Sequence, residues 1–373
     1  MSILKKIGPP SSVALHLTEA CNLRCKMCYF WGESGAYTKN KSKPKILDFD
    51  ILKNLVEELT NVKAKPFYSL FGGEPLTYPH LEELILAIKE TKAFIDTPTN
   101  GILLGEYAKI LVRSGFDQVR VSLDGTQEIN DYQRGKGSYE KALNGINELH
   151  YEKQRAGFTR PRIGILFTIT KNNFQSIEDF FLNNPDLDLD TLYSVTFQMQ
   201  NFITEEMGIQ YENFLKTEFG ISSEKNWKGL VRNIEEFKNI DVTAISSQVN
   251  KVCNELKNRD INTILLPPTY SPENLSAYLK ADWQNMVDLY QSCSVPWTGC
   301  EITASGEVAP CHVFHDFTLG NLKENSFMEI WDGDKYTKYR KYMEKNKFMP
   351  LCNIGCCILY IAGKQIANRE LKK

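Results

Sequence analysis

The sequence predicts an α/β protein built on a parallel sheet with its helices outside. Two observations predict it. From residue 12 to about 205, short apolar runs rich in β-branched and aromatic residues alternate with longer segments of helical period, and six such strand-then-helix units follow one another. The strand candidates are "VALHL" (13–17), "FYSLF" (67–71), "FIDTPT" (94–99), "QVRVSLD" (118–124), "RIGILFTIT" (162–170) and "SVTFQM" (194–199). Between them lie helical patterns such as "DFDILKNLVEELTNV", "HLEELILAIKETK", "YAKILVRSG", "SYEKALNGINELHYEKQ" and "SIEDFFLNN". This alternation fits either a doubly wound sheet or part of a barrel. Both hold their ligands in the loops after the C-terminal ends of the strands.

Residues 206–290 break the rhythm and read as a mostly helical insert, with a Pro-marked break at "LLPPTYSP" and no chemistry of their own. From 291 to 373 the texture changes to cysteine, glycine and short elements. "EITASGEVAP" reads as a hairpin turning at Ser305-Gly306, and two short helices follow in "SFMEIWDG" and "KYTKYRKYMEKN". The expected organisation is therefore a sheet domain over 8–205, the insert, and a small C-terminal domain. At 373 residues the chain has ample material for one large core and a smaller one.

Charge excludes some classes of function. Lys and Arg number 44 against 46 Asp and Glu, a net charge of -2, so no global field gathers nucleic acid or an anionic membrane. "MSILKKIGPP" lacks an apolar run long enough for a signal peptide, and no later segment reaches the length of a membrane span, so a cytoplasmic protein is expected. In a reducing cytosol, clustered cysteines serve metal binding or redox chemistry more often than disulfides. Three of the ten lie near residue 25, six lie between 293 and 357, and Cys253 stands alone as a small buried hydrophobe.

Cys21, Cys25 and Cys28 directly follow the first strand, at the end where such a scaffold places its site. A zinc knuckle needs a fourth Cys or His, and none lies between Tyr29 and His80. A cubane iron-sulfur cluster held by three thiolates leaves one iron open to another ligand. The pattern C-x-x-x-C-x-x-C followed by an aromatic, in "CNLRCKMCY", resembles the cluster motif of the radical S-adenosylmethionine (SAM) enzymes. That resemblance implies a partial (β/α)6 TIM-like barrel and a 4Fe-4S cluster whose free iron is chelated by SAM. It also implies reductive cleavage of SAM to a 5′-deoxyadenosyl radical that takes a hydrogen from substrate.

Other strand ends extend the resemblance. It assigns Gly72, Gly73 and Glu74 of "FGGEP" to the methionyl amino group of SAM, where glycines permit close backbone approach and a carboxylate accepts from an ammonium. "TNG" and "SLDG" resemble positions contacting the carboxylate and ribose through Asn100, Ser122 and Asp124. "NDYQRGKGSYEKALNGI" implies Arg134 as a partner of the SAM carboxylate, and Tyr29 is expected near the adenine. Taken singly, each of these residues also suits a turn, a helix cap or a packed surface.

The second cysteine group, Cys293, Cys300, Cys311, Cys352, Cys356 and Cys357, contains C-x12-G-x4-C in "CSVPWTGCEITASGEVAPC". With "GNLKENSFMEIWDGDKY" it resembles the auxiliary-cluster extension called SPASM, or its shorter form, twitch. The resemblance implies one auxiliary 4Fe-4S cluster on Cys293, Cys300 and Cys311, closed by Cys352, Cys356 or Cys357; zinc on four thiolates is the structural alternative. His312 stands where related sulfatase-maturing enzymes carry an aspartate that accepts a proton, which makes His312 or Asp316 the candidate acceptor.

A fully ligated auxiliary cluster suits electron transfer and net oxidation. The subgroup resembled most often modifies peptides, which makes peptide modification in maturation the leading expectation, with a reducing partner such as flavodoxin or ferredoxin. Many peptide-modifying enzymes of the resembled subgroup carry an N-terminal leader-binding domain, whereas here the cluster motif begins at residue 21, so a separate recruiting protein, recruitment by the 206–290 insert, or a small substrate is expected. The alternative expectation is a dehydrogenase or epimerase of a sugar, alcohol or natural product, for which Cys357 would be the hydrogen donor.

Overall fold

The computed structural model describes residues 7–39, 43–287, 290–311, 315–352 and 364–366. All six expected strands form: β1 (Ser12–Thr18), β2 (Phe67–Gly72), β3 (Ile95–Thr99), β4 (Gln118–Ser122), β5 (Arg162–Ile169) and β6 (Ser194–Met199). They pair in chain order, every pair parallel. Six of the seven residues of β1 are buried, as a strand covered on both faces requires.

Helices of the expected period cover the outer face. In Phe49–Asn61 the residues Leu52, Leu55, Val56 and Leu59 fall on one stripe and are buried, and the Asp48 carboxylate caps the start by accepting from the Asp50 amide at 2.8 Å. Each such side chain stabilises the fold by about 1.5–3 kcal/mol through the water it no longer orders.

Two features depart from the expected plan. The insert supplies a seventh parallel strand, β7 (Asn262–Leu266), against β6, so it is not purely helical. Thr263 and Ile264 are β-branched, and the Pro267-Pro268 pair that follows ends the strand. At the opposite edge the C-terminal region joins the same sheet. After β8 (Tyr290–Cys293) comes β9 (Gly299–Ile302), which pairs parallel with β1 and continues through the expected hairpin to β10 (Glu307–Ala309) and then β11 (Gly320–Asn321). Gly306 turns this hairpin at φ +83, a conformation that favours glycine. β12 (Lys364–Ile366) pairs with β8 in a separate two-stranded sheet. The main sheet therefore has ten strands, in the order β11-β10-β9-β1-β2-β3-β4-β5-β6-β7.

The sheet is strongly curved. Flat strands at about 4.8 Å spacing would hold β1 and β6 roughly 24 Å apart. Yet Cys21, just after β1, and Gln198, on β6, line one cavity of about 260 Å³.

Candidate active site

The three cysteines follow β1, and the chain must pass close to the end of β2 to reach them. Gly72 (φ +143) and Gly73 make that approach possible: a Cβ on Gly72 would lie 2.4 Å from the Thr18 carbonyl oxygen, and one on Gly73 would lie 2.1 Å from that of Ala20. The Gly73 and Glu74 amides donate to those same two carbonyls at 2.6 and 2.9 Å. The glycine pair thus stitches the second strand end to the root of the cysteine loop.

Glu74 is 1% exposed, and protein donors engage its carboxylate: the Thr99 hydroxyl at 2.6 Å and the amides of Asn100 and Leu76 at 2.9 and 3.1 Å. Burial pushes its carboxyl above the ordinary range, and these three donors oppose that shift. Asn100 is held in turn. Its side-chain amide donates to Asn22 Oδ1 at 2.7 Å and faces Cys21 Sγ at 4.0 Å. A continuous chain of hydrogen bonds therefore joins the ends of β2 and β3 to the cysteine loop.

The far side of the loop is fixed by the helix Gln127–Arg134. The Lys26 amide donates to the Gln133 carbonyl at 2.9 Å, and Cys25 Sγ lies 3.7 Å from the Arg134 carbonyl oxygen. Arg134 Nε sits 2.6 Å from Asp124 Oδ2 in a pair that is almost wholly buried. Burial works against the guanidinium charge, but Asp124 outweighs it and holds the pKa above the usual value. Asp124 also accepts from Gln133 Nε2 and from the Thr168 amide, each at 2.7 Å, so it positions Arg134 from behind.

Among the expected residues, Cys21, Cys25, Cys28, Tyr29, Gly72, Gly73, Glu74, Asn100, Ser122 and Arg134 all line the 260 Å³ cavity. Asp124 is 0% exposed and does not. The cavity has further walls that the motifs do not mark: Leu166 and Thr168 from β5, Gln198 from β6, and Gln200 and Asn201 just beyond it. "QMQN" at the end of the sixth strand was the available signal, because the same strand-end rule applies there. Leu230 of the insert completes the wall, and Arg232 donates to the Ser34 hydroxyl at 3.2 Å and the Met27 carbonyl at 3.4 Å.

The donor set suits a multi-iron cluster. The sulfurs of a single zinc ion would stand about 3.7 Å apart, from bonds of about 2.3 Å. Among the described residues, these three sulfurs do not gather within 4.8 Å of one another, although they share one cavity. The Leu23 amide donates to Cys21 Sγ at 3.5 Å, a contact that favours thiolate over thiol, and the Trp31 amide donates to Cys28 Sγ at 3.3 Å. Burial pushes the thiol of Cys21 up to about 11 and that of Cys25 up to about 12, the latter despite Arg134, so metal binding must displace their protons.

Burial holds the Tyr339 hydroxyl above its ordinary value, and Cys352, Cys293 and Cys311 add to that rise. Cys300 acts in the same sense on Tyr68 and on Tyr336, whose ring lies 6.3 Å from that of Tyr339. On β9, Cys300 and Glu301 point to opposite faces by strand alternation. Cys356 and Cys357 lie outside the described residues, as does His312. Asp316 is 6% exposed and lines no part of the cavity; it accepts from the Asn226 and Trp227 amides at 3.2 and 3.3 Å. Its place ties the insert to the C-terminal region.

Comparison with known proteins agrees with this architecture. A profile of the radical SAM superfamily matches residues 15–181, and a profile of the SPASM iron-sulfur cluster-binding domain matches residues 293–357, so together they cover more than half of the chain. The Fe-coproporphyrin III synthase of Methanosarcina barkeri is 26% identical over 325 residues, 86% of this chain and 73% of that protein. Mycofactocin maturase MftC of Mycolicibacterium smegmatis is 32% identical over 177 residues; the match spans 47% of this chain and 41% of MftC. The crystal structure of Streptococcus suis SuiB bound to S-adenosylmethionine has the same fold, with a TM-score of 0.61 at 17% identity over 89% of this chain and 68% of SuiB. Among the described residues, no helix is long and apolar enough to cross a membrane. With a radical SAM profile over its parallel sheet and a cluster-binding profile over its C-terminal cysteines, the chain belongs to the SPASM/twitch subgroup of the radical SAM superfamily, whose domains bind SAM, a 4Fe-4S cluster and auxiliary iron-sulfur clusters.

Proposed function

We propose that this protein is a radical SAM oxidoreductase that modifies a peptide. The observation carrying the reading is the convergence of Cys21, Cys25 and Cys28 with Gly72, Gly73, Asn100, Ser122 and Arg134 on one cavity. Cys21, Cys25 and Cys28 would hold a 4Fe-4S cluster by three thiolates, a set that would leave a coordination position for SAM. When bound and reduced, the cluster and SAM supply an oxidant that removes hydrogen from an unactivated carbon. Tyr29 walls the cavity beside the cysteines, while Asn100 and Ser122 offer polar atoms from neighbouring strand ends. Arg134, fixed by Asp124, presents its guanidinium to a carboxylate. Glu74 positions Asn100 and the β3 end rather than standing free as an acceptor. The apolar contacts of Phe30, Phe71, Leu166 and Leu230 exclude water from the reacting centre. Cys293, Cys311 and Cys352 would contribute ligands to one auxiliary 4Fe-4S cluster, which would supply an acceptor for the one electron that a substrate radical gives up.

The cavity wall supports a peptide. Gln198, Gln200 and Asn201 present side-chain amides that match peptide amides as both donors and acceptors. Arg134 is the one cation among the described lining residues, and Asp124 already pairs with it, so the wall offers little to a polyanionic substrate. SuiB, of like fold, has been crystallised with its precursor peptide SuiA. A second reading, a small-molecule dehydrogenase, draws on the similarity to the Fe-coproporphyrin III synthase, which runs through 86% of this chain. The test is anaerobic reconstitution with iron and sulfide, then reduction with SAM in the presence of either peptides encoded in adjacent reading frames or coproporphyrin. The expected result is 5′-deoxyadenosine together with a peptide that has lost two hydrogen atoms. Absence of 5′-deoxyadenosine overturns the enzyme; turnover of coproporphyrin alone overturns the peptide.

A further inference from the structure

A third group of metal-binding side chains lies outside both cysteine sets. His16 on β1 and Glu301 on β9 are 1% and 0% exposed. The strand register explains why they meet. Ala14 pairs with Glu301 across the parallel β1–β9 ladder, and residues 14 and 16 share one face, so His16 stands diagonally beside the Glu301 carboxylate. His315 reaches the same carboxylate from the loop beyond Cys311. Glu301 Oε1 lies 2.8 Å from His315 Nε2 and 3.5 Å from His16 Nδ1, and one ligand atom from each residue falls within 4.8 Å of the others.

Donors bound to one ion at about 2.0–2.2 Å stand roughly 3.2–3.5 Å apart, so these separations need only small side-chain adjustments to close on a cation. The set is two imidazoles and one carboxylate, the combination that suits zinc and ferrous iron, and one or more coordination positions stay open. Phe30 stacks on His315 with ring centroids 5.6 Å apart and meets His16 edge-on at 5.4 Å. Tyr37 stacks on the other side of Phe30 at 4.6 Å, giving the group an aromatic wall. A cavity of about 50 Å³, lined by Tyr37, Asn226, Thr303 and His315, opens beside it and has room for water on the open positions. None of the three residues lines the 260 Å³ cavity.

We propose that His16, Glu301 and His315 form a mononuclear site for a divalent first-row transition ion. The ion joins the first strand of the barrel to the C-terminal part of the sheet and to the loop that carries Cys311. This proposal does not depend on the substrate or on SAM cleavage.

The test uses the full chain with its iron-sulfur clusters reconstituted, exposed to zinc chloride and passed through a desalting column. Zinc, iron and sulfide are counted, and the zinc K-edge absorption is recorded. The expected result is about one zinc per chain in a nitrogen and oxygen shell with imidazole scattering. In Glu301→Gln and His315→Gln, zinc affinity should fall by more than the roughly 10- to 100-fold that altering a ligand's supporting hydrogen bond costs, with iron and sulfide unchanged. His315 sits in a loop, so its variant keeps the test sound if Glu301→Gln does not fold. Zinc that fails to stay on the wild-type chain, sulfur in the zinc shell, or full zinc affinity in His315→Gln would each overturn the proposal.

Discussion

The two cysteine regions are built in opposite ways. Cys21, Cys25 and Cys28 fall within one short loop that is fastened at three points: to β2 through the glycine pair, to β3 through Asn100, and to the helix Gln127–Arg134 through Lys26. Cys293, Cys311 and Cys352 come from a strand end, a loop and a buried turn spread over 60 residues, and all three raise the titration of the buried Tyr339 hydroxyl. The first region is a local motif held rigid by its neighbours. The second is assembled by tertiary packing alone, so its integrity should follow the stability of the whole C-terminal part.

The sharpest break in this comparison is Cys25→Ala. It should remove about four irons per chain, abolish 5′-deoxyadenosine and leave the auxiliary signal intact in the electron paramagnetic resonance spectrum. Cys311→Ala should do the reverse to the spectra; if it leaves iron content unchanged, the auxiliary site is misassigned.

Gly73→Ala comes next, because its Cβ would meet the Ala20 backbone at 2.1 Å and neither strand end can yield. The expected outcome is loss of cluster loading on the first site, read by iron analysis. Gly306→Ala, at a hairpin turn with φ +83 where the new Cβ would meet the flexible Asn321 side chain at 3.2 Å, should cost about 1–2 kcal/mol in chemical denaturation.

Arg134→Ala leaves Asp124 buried without its partner and should destabilise the fold by about 3–5 kcal/mol. Arg134→Lys keeps the charge but not the fork, so it should recover most of the stability while still weakening SAM binding in equilibrium dialysis. Recovery of both would make the guanidinium geometry irrelevant. The smallest effect is expected at Cys300→Ala, which should lose about 1 kcal/mol and no iron. Loss of four irons there would place Cys300 in the auxiliary ligand set.

Much of this was legible in the sequence, for a physical reason. A parallel α/β scaffold places its ligand groups at strand ends, so once the six strands were found, the residues at 72–74, 100 and 122 had to lie at one end of the sheet. What local patterns do not record is which strands become neighbours. β9 follows β1 by most of the chain, and their pairing creates both the continuous ten-stranded sheet and the meeting of His16 with Glu301. Strand alternation places Cys300 and Glu301 on opposite faces of β9. β7 was hidden because "NTILL" is short and sits among helices.

The β1–β9 pairing also sets an order of events at the ribosome. Ser11 and Thr298, hydrogen-bonded in the finished protein, are separated by 287 positions. At about 5–20 residues per second, roughly 15 to 60 s pass between their syntheses. Throughout that interval β1 has a partner on one side only, and its other edge is an apolar template open to any passing strand. The nascent chain carries its reactive cysteines at the end of that bare edge, so a chaperone or an early metal-delivery factor has the most to protect before the last quarter of the protein emerges.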